Sequence, residues 1–522
     1  MNYQNLDQTQ SYKKLKTTTP VDIKMELTEE KVNKYEIKTG ANIKFNYAAL
    51  PVNTKILEIL SGLSKEQDLI EKYKLILSGA TMNPGEDRKV LHHLTRMDPL
   101  SPVIFENHNI RDFYVEQQER INIFAGKIHS GQIKGSTGKK FDTVIQIGIG
   151  GSDLGPRAMY IALKEIVGEK AMMVANFISN VDPDDAASVF GNTNLESTLF
   201  ILVSKSGTTQ ETLANRDLAI KWMGKKNPDL DPSKHMIAVT SATSPLADSD
   251  SFLDSFYIDD FIGGRYSSTS AVGGAVLTLA FGKDVFKEFL DGAAESDKNA
   301  LNEDIKENAA LMDALIGCYM RNILDYRISA VLPYSQGMSR FPAHLQQLDM
   351  ESNGKSVNRN GESLGYKTGP AIFGEPGTNG QHSFYQLLHQ GTDIIPLQFI
   401  GFKESQQNVD LTIDGSTNQT KLNANLTAQI FAFARGSQNA NPNKNFSGGR
   451  PSSLLYGTKL TPGALGALLS HFENKVMFQG FLWNINSFDQ EGVQLGKKLT
   501  NQILSGESKD KALNLIAGKL GI

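Results

Sequence analysis

Apolar positions along this chain fall into two rhythms. From Phe141 onward, short runs rich in β-branched residues, TVIQI (143–147), MMVANFI (172–178), TLFILV (198–203) and HMIAV (235–239), alternate with longer stretches of helical periodicity. Continuous apolar runs of this length suit strands covered on both faces, so the rhythm predicts a parallel sheet flanked by helices. A second set, ISAVLPY (328–334) and TDIIPLQFIGF (392–402), predicts a second α/β domain. Residues 1–110 carry mixed helical periodicity without clear strands and are expected to wrap around the later domain. The segment 436–453, GSQNANPNKNFSGGRPSS, is dense in Gly, Asn, Pro and Ser and predicts an exposed loop, after which helices are expected to dominate.

Length and composition narrow the class. A chain of 522 residues exceeds one ordinary core, since domains run to about 100–200 residues. Hydrophobic residues at 40% and charged ones at 21% describe a globular protein. The net charge of -4 leaves no basic field to gather nucleic acid or acidic lipid, so an anionic ligand has to be attracted locally. Cys318, the single cysteine, has no partner for an internal disulfide and reads as a small buried hydrophobe. The N-terminus, MNYQNLDQTQSYKKLK, has no apolar run fit for a secretory signal. No later stretch approaches the ~20 apolar residues that span a bilayer. The expectation is a cytoplasmic protein that binds neither membrane nor nucleic acid.

Several segments carry chemistry. The TVIQI run enters Gly148-Ile-Gly-Gly-Ser-Asp-Leu-Gly155, where glycines permit close backbone approach before a helix. Asp153 stands where a dinucleotide fingerprint needs its third glycine, and the Gly-Lys-Ser/Thr ending of a Walker loop is missing. After TLFILV come Ser204, Lys205, Ser206, Gly207, Thr208 and Thr209, then a helical pattern. Hydroxyls together with free N–H groups at a helix N-terminus hold a phosphate dianion without a basic protein, whereas an N-cap alone needs only one hydroxyl. Arg265 follows two glycines and is a candidate oxyanion or carboxylate partner. Asp349 and Glu351 lie in a helix end stopped by Gly354, and either carboxylate is a candidate base. His382 follows a loop of three glycines and a proline, and His389 reads as a packed helical residue. The nine histidines form no HxH or HExxH pattern, so no metal is expected. In the last helix, Val493, Leu495, Gly496, Leu499, Ile503 and Leu504 share an apolar arc, with Lys497 at its edge and Lys498 toward the polar face.

Taken together, these segments resemble the glucose-6-phosphate isomerase family. The resemblance rests on GIGGSDLGP (148–156), SKSGTTQET (204–212), GGRYSSTSAVGG (263–274), MESNGKSVNR (350–359), TGPAIFGEPGTNGQHSFYQLLHQGT (368–392), KLTPGALGALL (459–469) and WNINSFDQEGVQLGK (483–497), in family order. It implies two sugar-isomerase α/β domains at 111–268 and 269–485, a helical N-terminal region (1–110) and a C-terminal helical arm (486–522). It also implies a homodimer acting on a sugar phosphate with neither metal nor cofactor, with His382 donated across the interface. Matched positions imply Glu351 as base, Arg265 as oxyanion partner, and His382 with Lys497 as ring-opening groups. Ser204, Lys205, Ser206, Gly207, Thr208 and Thr209 would hold the phosphate, and Gly151, Ser152, Gln347 and Gln490 would line the sugar site. The chain departs from the family's more frequent residues at Ser206 and Gly207 (Thr-Phe), Ser268 and Thr269 (Leu-Trp), Glu491 (Trp) and Gln494 (Glu).

Overall fold

The computed structural model describes residues 3–522 apart from 248 and 408. One sheet has five parallel strands in the order Ser255–Tyr257, Met236–Thr240, Thr198–Val203, Thr143–Ile147, Val174–Ile178. Every residue of Thr198–Val203 is buried, as a strand covered on both faces requires. The chain order reverses between Thr143–Ile147 and Thr198–Val203, which pair directly from Thr143↔Thr198 to Ile147↔Leu202. At such a switch the loops leaving the carboxyl ends of the two strands diverge and open a crevice. Here those loops are the glycine turn at 148–153 and the hydroxyl-rich turn at 204–209.

The second sheet has six strands in the order Glu36–Lys38, Lys44–Asn46, Ser452–Gly457, Leu397–Phe402, Ile328–Pro333, Ala371–Phe373. The last four are parallel, and the first two add an antiparallel edge to Ser452–Gly457. The N-terminal region therefore supplies two strands to this sheet, besides its helices and two short two-stranded ribbons. Each is three residues long with one buried residue, Ile37 or Phe45, too short for a periodic signal. The expected loop at 436–453 needs a correction. Its outer part is closed by a Ser437↔Phe446 bridge, but Arg450, Ser452 and Ser453 are buried and the last two open a strand. Pairing with Leu397–Phe402 overrides the polar composition there.

The helix Pro462–Leu482 runs through the interior, with all but one of its residues buried, and packs along Lys283–Asn299. Glycines set the spacing of the pair: a Cβ on Gly292 would lie 1.9 Å from the Gly463 carbonyl oxygen, and one on Gly466 1.9 Å from that of Phe289. Cys318 is buried in the helix Ala309–Asn322, and burial pushes its thiol pKa up. Among the described residues, no helix is long and apolar enough to cross a membrane.

Candidate active site

The glycine turn packs backbone to backbone on the turn Gly264–Tyr266: a Cβ on Gly151 would sit 2.2 Å from the carbonyl carbon of Gly264. Gly150 has φ +62°, a conformation glycine adopts without strain. This contact brings Arg265 to the mouth of the crevice. Its guanidinium is buried and held at three points, donating from Nε to Ser352 Oγ (2.7 Å) and from Nη2 to the carbonyls of Ser487 (2.6 Å) and Asp489 (2.9 Å). Nη1 faces Glu351, 3.2 Å from Oε2.

Glu351 closes a π-turn, Gln347–Glu351, that extends the helix Phe341–Gln346. Such a turn widens the helix locally and is frequent at functional sites. The Glu351 side chain keeps 21% of its area exposed, so it is reachable from the crevice. Asp349, the other carboxylate of the turn, is buried, and burial pushes its pKa up to about 6 against the opposing charge of Lys475. Of the two carboxylates left open by the sequence, Glu351 is the one that meets Arg265.

In the hydroxyl-rich turn, Ser204 Oγ lies 3.0 Å from Thr209 Oγ1 and accepts the Gly207 N–H, while Ser206 Oγ accepts from the Thr208 N–H and hydroxyl. Thr209 stands at the N-cap of the helix Gln210–Lys226, yet its side chain makes no capping hydrogen bond. These contacts shape the turn, and the helix start behind it remains an anion-attracting end. Lys205 Nζ is 3.3 Å from Asp260 Oδ1, which moderates its charge at the rim.

The phosphoglucose isomerase family model matches residues 46–516. The chain belongs to that family. A Treponema denticola protein named glucose-6-phosphate isomerase is 63% identical over 478 residues, spanning 92% of this chain and 90% of the relative. Its Borreliella burgdorferi namesake is 50% identical over 526 residues, spanning 100% and 99%. The crystal structure of a glucose-6-phosphate isomerase from Chlamydia trachomatis superposes with a TM-score of 0.93 at 42% identity, covering 99% of each chain.

Against that membership, the residues expected at the site divide into two groups. Gly151, Arg265 and Glu351 come together through the contacts above, and Gln347 joins them: a Cβ on Gly150 would sit 3.5 Å from its Nε2. Ser152 follows Gly151 in the same turn. His382, on the turn Asn379–His382, is exposed in the single chain, as are Gln490 and Lys497. The helix Gln494–Leu504 buries none of its residues, and Val493, Leu495, Leu499 and Leu504 stand exposed. Lys497 is thus exposed in the single chain, at the edge of that arc. His389 packs as expected, its ring stacked 3.7 Å from that of Phe433. Sequence reasoning missed Ser352, Lys355 and Asp489. All three lie inside family blocks, but their work is to hold other side chains, and residue type carries no sign of that.

Proposed function

We propose that this chain interconverts glucose 6-phosphate and fructose 6-phosphate, an aldose-ketose isomerisation in glycolysis and gluconeogenesis. The observation that carries the reading is the Arg265–Glu351 pair, 3.2 Å apart, in a phosphoglucose isomerase family chain. Ser204, Ser206, Thr208 and Thr209, with the backbone of Lys205 and Gly207, hold the 6-phosphate at the start of the helix Gln210–Lys226. Gly151, Ser152, Gln347 and Gln490 line the sugar. His382 and Lys497 open the ring by moving one proton from the anomeric hydroxyl and delivering one to the ring oxygen. Glu351 then takes the C2 proton of the open aldose and returns it to C1 through a cis-enediol, while the O2 hydroxyl proton passes to O1. Arg265 balances the charge that grows on O1 and O2, a contribution of roughly 3 kcal/mol for one oxyanion donor. Phosphate binding far from the reacting carbons supplies orientation.

The same reading divides the chain at 110, 268 and 485 and makes the active species a homodimer. What supports the dimer is the exposed His382 and the uncovered apolar arc of the C-terminal arm, surfaces that a second copy would cover. A lone buried thiol suits the reducing cytoplasm.

Replacing Glu351 by Gln tests the core of this. Conversion of glucose 6-phosphate and C2–H exchange with deuterated solvent should both vanish, while competition by inorganic phosphate stays within a few-fold. Equal loss of catalysis and phosphate affinity would mean that another group is the base.

A further inference from the structure

Arg265 bridges two segments distant in sequence. Its Nε bonds Ser352, beside Glu351, and its Nη2 bonds the carbonyls of Ser487 and Asp489, at the root of the arm that bears Lys497. A second link joins the same two segments. Lys355 Nζ pairs with the Asp489 carboxylate and donates to the Asp489 carbonyl at 3.2 Å, while Asn486 Nδ2 holds the other carboxylate oxygen at 2.7 Å. Both charged side chains are largely buried, 16% and 18% exposed. The Asp489 carbonyl is shared by Arg265 and Lys355, so the ion pair fixes the acceptor that aims the guanidinium.

We propose that Lys355 and Asp489 form a positioning pair that sets the root of the C-terminal arm against the Glu351 segment, keeping ring opening and proton transfer in register. The inference rests on the roles given above to Glu351, Arg265 and Lys497. Neither member of the pair is among the groups assigned above to the substrate. Loosening it leaves the phosphate turn in place but lets Arg265 and the arm drift, and displacements of this kind lower kcat rather than binding.

The test uses full-length Asp489→Asn, Lys355→Met, their double variant, and Lys355→Arg. Two activities are read separately: exchange between the α and β anomers of glucose 6-phosphate, which reports ring opening, and C2–H exchange, which reports proton transfer. Each of the first two variants should lose about tenfold or more in both, with KM and inorganic phosphate competition within about twofold. The double variant should be no worse than either single one, because both remove one contact. Lys355→Arg should retain most activity. Near-parental kcat in either single variant, or a double loss equal to the product of the single losses, overturns the pair. Far-UV circular dichroism checks that each variant is folded, and Asp489→Asn, matched in shape, guards against a variant that is not. Glu351→Gln run alongside separates the two readings: if it still isomerises, the base assignment fails whatever the pair does.

Discussion

Gly207 has φ +68°, and a Cβ there would lie 2.2 Å from Ser244 Oγ, so the hydroxyl-rich turn of this chain has no room for a side chain at that position. A buried imidazole shows the same dependence on surroundings. His344 lies in the helix that leads to Glu351, with both ring nitrogens unpartnered, and burial lowers its pKa to about 4. Folded His344 stays neutral where the unfolded chain takes up a proton below the ordinary histidine pKa, so stability is present near neutrality and lost as pH falls. At pH 5 the loss from this group is about 2 kcal/mol. Asp349 and Glu473, lifted by burial to about 6 and about 7, act in the opposite sense. They bind protons more readily folded than unfolded, so their contribution is complete below the ordinary carboxylate pKa and is lost as pH rises through about 6 to 7. A His344→Gln variant should therefore lose less stability than the parent between pH 7 and pH 5, by about 2 kcal/mol in urea titrations. Identical slopes would show that His344 titrates normally in the fold.

Among elements, the two packed central helices and the N-terminal region are joined by buried charge. Arg96, just after the turn His92–Thr95, donates from Nε and Nη2 to Asp297 (2.6 and 2.9 Å) and from Nη1 to Glu473. Ser470 and Asn474, on the helix Pro462–Leu482, complete the Asp297 carboxylate at 2.7 and 2.9 Å. The cluster lies behind the site, since His92 stacks on Tyr266, whose hydroxyl is 3.1 Å from Ser352 Oγ. Asp297→Ala removes both bidentate bonds of Arg96 and leaves a buried guanidinium half paired. The expected cost is about 3–5 kcal/mol, read from the urea midpoint. A loss below about 1 kcal/mol would mean that water enters and solvates Arg96.

For the whole molecule, the exposed His382 and Lys497 make subunit mixing decisive. Glu351→Gln and His382→Ala homodimers should each be inactive. On the proposed dimer, dissociating and reassociating them together should give mixed dimers with one site intact in both residues, restoring roughly a quarter of parental activity. No recovery would place His382 in the site of its own chain. Much of this protein is legible in its sequence. The runs at 143–147 and 198–203 are strands at those same residues because a strand covered on both faces is mostly apolar, and the glycine, hydroxyl, arginine and carboxylate blocks lie in family order. The strands Glu36–Lys38 and Lys44–Asn46 were hidden because pairing with Ser452–Gly457, far away in the chain, decides them. Composition also pointed the wrong way at Arg450–Ser453, where burial comes from neighbours that local polarity does not reveal. Residue type alone left Asp349 and Glu351 equivalent; the π-turn turns one inward and sets the other beside Arg265. The sequence determines which groups are available, since that is a matter of residue chemistry. Which of them meet depends on strand order and on close backbone contacts such as Gly151 on Gly264, and those distances exist only once the chain has folded.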